Sequence, residues 1–335
     1  MSMDHGGARP ARRLEGPNEG DARPASILVV GEALVDVVTR FDGQVDEAPG
    51  GSPANVALTL GRLGHAPQLL TRLADDSHGR AVLSWLEASG VEVLSVGASR
   101  TATATARLDA EGSATYDFDI EWSLAGAVVP TADIVHTGSI AALMEPGAAD
   151  VLRIIDHLHE VALVTYDPNV RPALLGKKSV ARRQVEEMVA LADLVKASDE
   201  DLRWLYPNKD PLDVARSWLA TGLAVAVVTA GEGGAFAVAR SGVIAVEAER
   251  VDVVDTVGAG DTFMGALIDG LILCGYRDAK ARQRLRGIPA DELEAILRFS
   301  AHAAAVTVSR PGADPPWREQ LPLDLLVPER GPAPE

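Results

Sequence analysis

The chain has 335 residues, 47% of them hydrophobic, and a formal net charge of −17. That is enough apolar sequence for one large core or two small ones. The first 24 residues balance four basic against four acidic side chains, so the negative field belongs to the folded part. It disfavours nucleic acid and anionic membranes as partners, and leaves room for a phosphorylated ligand in a local positive pocket. Cys274 is the only cysteine, which excludes an intrachain disulfide and fits a reducing, cytoplasmic setting. There is no secretory leader pattern at Met1 and no apolar run long enough to span a bilayer.

Residues 1–24, rich in Gly, Pro, Arg and Asp and without periodicity, read as a disordered tail. Ile27 to Val30 is a continuous apolar run ending at Gly31, the pattern of a buried parallel strand. Ala33 to Val38 reads as a second strand with one charge inside it, Asp36. Buried carboxylates need partners, so Asp36 is either a ligand for hydroxyl groups at a strand end or an exposed residue on an edge strand. In Gly50-Gly51-Ser52-Pro53-Ala54-Asn55, Ser52 is placed to cap a helix and Pro53 to occupy its first position. Val56, Leu60 and Leu63 give that helix an apolar stripe, and Gly64 ends it. The plain alternative is a well-capped helix; the paired glycines and Asn55 in its first turn point further, to N–H groups and an amide aimed at a polar ligand.

Gln68 to Leu73 reads as a strand and Ser77 to Ser89 as a helix. Thr101 to Leu108 and Ser113 to Ile120 alternate polar and apolar residues around Asp109-Ala110-Glu111-Gly112, a hairpin signal. A half-exposed antiparallel piece within a β-α repeat predicts a small sheet apart from the main one, placed to cover a site. After Ile134-Val135-His136 come a helix near Pro146 to Leu158 and a strand at Ala162 to Tyr166. The run Asp167-Pro168-Asn169-Val170-Arg171 then sets an acid, an amide and a guanidinium at alternate positions beyond a strand end, where open α/β sheets bind ligands. The plain alternative is that two of these three simply hold the loop together. A helix over Ser179 to Ala192 and a strand over Leu194 to Lys196 lead to Ser198, whose following acidic residues suit the start of a short helix. Further elements are a helix at Pro211 to Ala220, strands at 225–229, 235–238 and 243–247, and a last helix over 291–308 with a small-residue face. Lys280 to Pro289 reads as a basic loop. His157 and His159 do not share a helix face, so no histidine metal cluster is expected. Strands alternate with helices throughout, which predicts a mostly parallel sheet covered on both faces.

Asp255-Thr256-Val257-Gly258-Ala259-Gly260-Asp261 organises the rest. Phe263, Leu267 and Leu271 recur every four residues and Gly275 follows as a stop, so Gly258, Ala259 and Gly260 stand where a helix begins. Free N–H groups and the positive end of the helix dipole make an anion site there. A carboxylate at the same point, Asp261, is at odds with simple anion binding. It makes sense where a hydroxyl must lose its proton beside a transferred phosphoryl group. The plain alternative is a Gly-rich loop with an acidic cap.

Taken together, Gly50-Gly51-Ser52-Pro53-Ala54-Asn55-Val56-Ala57 and Asp255 to Asp261 resemble the signature segments of the PfkB/ribokinase family of carbohydrate kinases, and the likeness extends from about Ile27 to Gly312. Gly31-Glu32-Ala33-Leu34-Val35-Asp36 and Asp167 to Arg171 look most like the branch of fructokinases and ketodeoxygluconate kinases. The resemblance implies an α/β protein with a ribokinase-like three-layer αβα sandwich and a small β-sheet lid. The kinase domain would run over 25–317, with lid segments near 39–50 and 100–121 and a C-terminal coil over 318–335. It implies ATP and Mg2+ as cofactors, with K+ as a further ion, and a sugar as acceptor, fructose before ketodeoxygluconate, ribose or a nucleoside. Asp261 would be the general base, and the N–H groups of Gly258, Ala259 and Gly260 the anion hole. Asp36, Gly50, Gly51 and Asn55 would hold the sugar, and Arg171 would line the acceptor or phosphate side. Thr229 and Gly231 would touch ATP, with Gly234 nearby. Where the family often carries Asn-x-x-Glu near magnesium, this chain has Ser198 and Asp201. Asp255 and the loop at Gly312 match the monovalent-cation site. A homodimer through the lid is expected. An oxidoreductase would want Gly-x-Gly-x-x-Gly after the first strand, where only Gly31 stands, and a non-catalytic sugar sensor of this fold would lack Asp261.

Overall fold

The structure, a computed structural model, describes residues 23–108 and 114–327. Almost all of the tail expected over 1–24, the hairpin turn at Asp109 to Gly112 and residues 328–335 lie outside it. In chain order the elements are β1 (Ile27–Val30), β2 (Leu34–Thr39), β3 (Val45–Gly50), α1 (Ser52–Arg62), β4 (Gln68–Leu73), α2 (Ser77–Glu87), β5 (Glu92–Gly97), β6 (Thr103–Leu108) and β7 (Ala114–Asp119). Then come β8 (Ile134–Gly138), α3 (Gly147–Leu158), β9 (Leu163–Asp167), α4 (Lys178–Leu191), β10 (Leu194–Ser198), α5 (Asp199–Leu205), α6 (Pro211–Leu219) and β11 (Val225–Thr229). The chain closes with β12 (Ala235–Ala239), β13 (Gly242–Val246), α7 (Ala259–Leu273), α8 (Arg282–Leu285) and α9 (Ala290–Val308).

The main sheet has the order β13-β12-β11-β10-β9-β8-β1-β4-β5. From β11 to β5 every pairing is parallel, and β12 and β13 add an antiparallel hairpin at one edge. Strands β1, β8 and β9 are buried throughout, because helices cover both faces of a parallel sheet. Val29 and Leu69 face a core shared with α1, α7 and α9. Leu28 and Leu70 face the opposite core, shared with α3 to α6. Helix α7 is buried on nearly every side, which matches its apolar sequence all round. Gly265 on α7 meets Thr59 of α1 so closely that an added Cβ would stand 2.6 Å from Thr59 Cγ2, and this close crossing brings the first turns of the two helices together.

The smaller sheet has the order β3-β2-β6-β7. The expected hairpin is β6 and β7, paired antiparallel. Strand β2 runs inside this sheet between β3 and β6, so Asp36 is not on an edge strand; it sits opposite Ala48 on one side and Ala104 on the other.

Two stretches behave differently from the sequence expectation. Part of the basic loop is helical as α8, and its Arg282 reaches Asp193 (Nε to Oδ1, 2.6 Å) and the carbonyls of His159 and Ala162. The segment after residue 317, expected as coil, buries Leu321 and Leu326 in the core. Its Arg318 donates to Asp269 on α7 and to the carbonyl of Leu63 at the end of α1. Arg62 pairs with Asp314 and donates to the Pro315 carbonyl. Among the described residues, no helix is long and apolar enough to cross a membrane.

Candidate active site

Strands β4 and β8 flank β1 on opposite sides, so the chain leaves the carboxyl end of β1 at a topological switch point, the crevice where such sheets bind ligands. Gly31 and Glu32 follow β1 there, Ser139 follows β8, Asp167 ends β9 with Asn169 to Arg171 beyond it, and Ser198 and Thr229 end β10 and β11. Helix α7 delivers Asp261 to this crevice in its first turn.

Gly258 is the N-cap of α7 in the left-handed region (φ 75°), and an added Cβ there would lie 2.6 Å from Ala313 Cβ. Both constraints call for glycine. The Ala259 N–H turns back to the Thr256 carbonyl at 3.3 Å and Thr262 N bonds to the Gly258 carbonyl, while Gly258, Gly260 and Asp261 have no backbone partner for their N–H groups among the described residues. Of the Gly258, Ala259 and Gly260 donors expected from sequence, Gly258 and Gly260 are thus open, and Asp261 adds a third.

Asp261 is 6% exposed and its carboxylate is held from three directions. Ser52 Oγ donates to Oδ1 at 2.7 Å, Asn55 Nδ2 to Oδ2 at 2.8 Å, and Asn169 Nδ2 to Oδ1 at 3.3 Å. Ser52 is thus not the helix cap that its position suggested. Gly51 is the N-cap, at φ 106°, where a Cβ would stand 2.6 Å from the Glu32 carbonyl oxygen. Ser52 and Asn169 are site residues that sequence reading left without this role, because each partner lies far away in the chain.

Asn169 has a positive φ of 34°, which asparagine tolerates better than most residues. Arg171 donates from Nη1 to Asn169 Oδ1 at 2.6 Å and to the carbonyls of Asn169 and Val170 at 3.2 Å. Beneath this loop Asp167 is fully buried and pairs with Lys196 (Nζ to Oδ2, 2.7 Å), whose Nζ also reaches the Gly260 carbonyl at 3.3 Å. Burial raises the Asp167 pKa against the lowering charge of Lys196. Burial lowers that of Lys196, but the Asp167 charge and hydrogen bond outweigh it and leave the net shift upward. His136 lies buried nearby, bonded to Thr165 Oγ1; burial and then the Lys196 charge push it down to about 3, so it is neutral. Glu32 is also buried and accepts from the Ala141 N–H; burial carries its pKa up to about 7. Lys196 was legible only as a charge in an apolar strand, the signal that singled out Asp36.

Arg171, Ser198, Asp201, Thr229, Gly231 and Gly260 line one cavity of about 570 Å3 together with Lys196, Glu200 and Glu232. Asp36 is on β2 of the smaller sheet. A Cβ on Gly50 would come within 2.3 Å of Asp36 Oδ2, and the desolvating surroundings of Asp36 raise its pKa while the charge of Arg171 opposes the rise. Gly234 does not line the cavity; it accepts from the Ala230 N–H and shapes the turn between β11 and β12. Asp255 also lies apart, accepting from the N–H groups of Val257 (3.0 Å) and Gly312 (2.8 Å) and so tying two loops. Ser198 and Asp201 form a capping box on α5, and Asp201 Oδ1 accepts from Val170 N at 2.9 Å. Both oxygens of Asp201 thus receive backbone N–H groups. Among the described residues, no three His, Cys, Asp or Glu side chains are grouped to hold a metal ion by themselves.

A held carboxylate at a helix N-terminus, with a buried cation and a polar cavity beside it, suits proton abstraction from a hydroxyl next to a bound phosphate. Comparison with known proteins agrees. The chain is 35% identical over 259 residues to a fructokinase of Rhizobium leguminosarum bv. trifolii, covering 73% of this chain and 79% of that one. It is 32% identical over 328 residues to fructokinase-1 of Oryza sativa subsp. japonica, covering 91% and 97%. Its fold matches the crystal structure of a fructokinase with bound ATP from Xylella fastidiosa with a TM-score of 0.76 and 27% identity, over 90% of this chain and 97% of that one. The pfkB family carbohydrate kinase pattern matches residues 24–320, and with the arrangement around Asp261 this places the chain in that family, as an ATP-dependent sugar kinase.

Proposed function

We propose that this enzyme transfers the γ-phosphoryl group of ATP to fructose, giving fructose 6-phosphate. The observation that carries the reading is Asp261, a buried carboxylate fixed at the N-terminus of α7 beside the open N–H groups of Gly260 and Asp261. The acceptor hydroxyl gives its proton to this carboxylate as its oxygen attacks the γ-phosphorus, the bond from that phosphorus to the β–γ bridging oxygen breaks to release ADP, and the helix end meets the charge on the phosphoryl oxygens. Ser198, Thr229 and Gly231 border the nucleotide side, and Asp36, Gly50, Gly51 and Asn55 the sugar side, under the lid. Support for fructose comes from the relatives named above, which are fructokinases.

The residues suit a magnesium ion carried on the nucleotide: Glu200 and Glu232 line the cavity, and Asp201 fixes the loop beside it rather than offering a free oxygen. Bound there, the ion would neutralise triphosphate charge. Potassium belongs in this reading to the junction of Asp255 with Gly312; exchanging it for choline should lower kcat. The lid is the surface through which we expect a second copy to bind, which sedimentation at micromolar protein would detect. The single thiol and the absence of disulfides fit a cytoplasmic enzyme, to be checked by fractionation.

Asp261→Asn decides the central point. Turnover should fall by roughly two to four orders of magnitude with ATP binding retained. Turnover within about threefold of wild type would remove Asp261 as the base.

A further inference from the structure

The hydrogen bonds around Asp261 have only one consistent direction. Arg171 can only donate, so Asn169 Oδ1 is the acceptor of the 2.6 Å bond between them. That fixes the amide orientation and turns Asn169 Nδ2 toward Ser52 Oγ (2.8 Å) and Asp261 Oδ1 (3.3 Å). Ser52 Oγ, receiving from Asn169, commits its own proton to Asp261 Oδ1 at 2.7 Å. Asn55 Nδ2 holds the other carboxylate oxygen. Three of the links come from separate parts of the chain: the loop after β9, the first turn of α1 and the first turn of α7.

We infer that Arg171, Asn169 and Ser52 form a directed relay that orients the Asp261 carboxylate for proton abstraction, with Arg171 acting through Asn169 rather than on the sugar. The inference rests on the reading of Asp261 as the base. The relay pins Oδ1 from two donors, so the carboxylate plane cannot rotate without breaking bonds on both sides. Reaction geometry is sensitive at this level: misplacement by about 1 Å can cost on the order of 100-fold. Arg171, Asn169 and Ser52 are therefore positioning residues, and their loss should appear in kcat before it appears in KM.

Asn169→Asp tests the direction of the relay. Aspartate has the same shape, tolerates the same left-handed backbone and still accepts from Arg171, yet it has no donor for Ser52 or Asp261. The folded enzyme should keep its fructose and ATP KM within about threefold and lose roughly 10- to 100-fold in kcat. A kcat near wild type, or a raised fructose KM with kcat unchanged, overturns the relay. A double-mutant cycle of Arg171→Gln and Ser52→Ala gives an independent reading should Asn169→Asp fail to fold. In one chain the double variant loses about as much as the worse single variant, whereas separate roles multiply. Multiplying losses overturn the inference. Asp261→Asn, assayed alongside, separates the two ideas: if it stays active the base assignment fails, and if it is inactive while Asn169→Asp is not, only the relay fails.

Discussion

Replacing Lys196 by Met offers a quantitative check on the layer beneath the active site. Nζ of Lys196 lies 2.7 Å from Asp167 Oδ2, with the two side chains 4% and 1% exposed. Methionine keeps the length and apolar stem of lysine but removes the cation paired with Asp167. Breaking a buried pair by removing one partner costs about 3–5 kcal/mol, a large part of the typical total of about 5–15 kcal/mol. The cost should depend on pH in a definite direction. Asp167 in the folded protein is already raised by burial, and loss of Lys196 raises it further. A carboxyl whose folded pKa exceeds its unfolded value of about 3.9 destabilises the protein as pH rises through that interval. The Lys196→Met deficit should thus be greatest near pH 8 and shrink toward pH 5, by about 1.4 kcal/mol per unit within the titrating range. Urea unfolding at the two pH values measures it. Asp167→Asn added to Lys196→Met should recover most of the loss at pH 8, because it removes the stranded charge. A deficit below about 1 kcal/mol at pH 8, or one that does not shrink on acidification, would refute the assignment of this pair.

Gly51→Ala should cost more than about 1–3 kcal/mol in a melt followed by circular dichroism, because φ 106° is strained for any side chain and the new methyl meets the Glu32 carbonyl; an unchanged melt would disprove the close approach. Asp36→Ala should raise the fructose KM and leave the ATP KM nearly alone, as steady-state kinetics on both substrates will report; equal effects on both would place Asp36 outside the sugar pocket. If the smaller sheet is a lid that excludes water, replacing residues 101–120 by a short linker should increase ATP hydrolysis relative to sugar phosphorylation. The ratio of ADP to sugar phosphate tests this, and an unaltered ratio in a folded variant counts against it.

What could be read from the sequence follows from how local each signal is. The buried strand β1 announced itself as an apolar run, and α7 by its four-residue recurrence and flanking glycines. Asp261 was legible because an acid at a helix start beside glycines is chemically unusual. Strand β5 gave no comparable signal: Glu92 to Gly97 is a half-exposed edge strand with one strong neighbour, β4. Ser52 read as a cap because local chemistry allows it, but the fold sets Gly51 in that position and turns the hydroxyl to Asp261. Lys196 gains its meaning only when β10 pairs with β9 and brings it against Asp167. Arg282 likewise became intelligible only through carbonyls and a carboxylate contributed by other segments.

The anchoring of residues 314–318 bears on which positions are free to change over evolutionary time. Arg318 grips Asp269 on α7 and the Leu63 carbonyl beyond α1, and Arg62 grips Asp314 and Pro315 in return. These are the far ends of the two helices whose near ends carry Asn55 and Asp261. A drifting substitution at Arg318 would let the pair splay like scissors with a loosened rivet, and selection would see it as slower catalysis although nothing in the cleft had altered. A tail that looks dispensable by composition is thereby held to the same standard as the residues that meet the substrate.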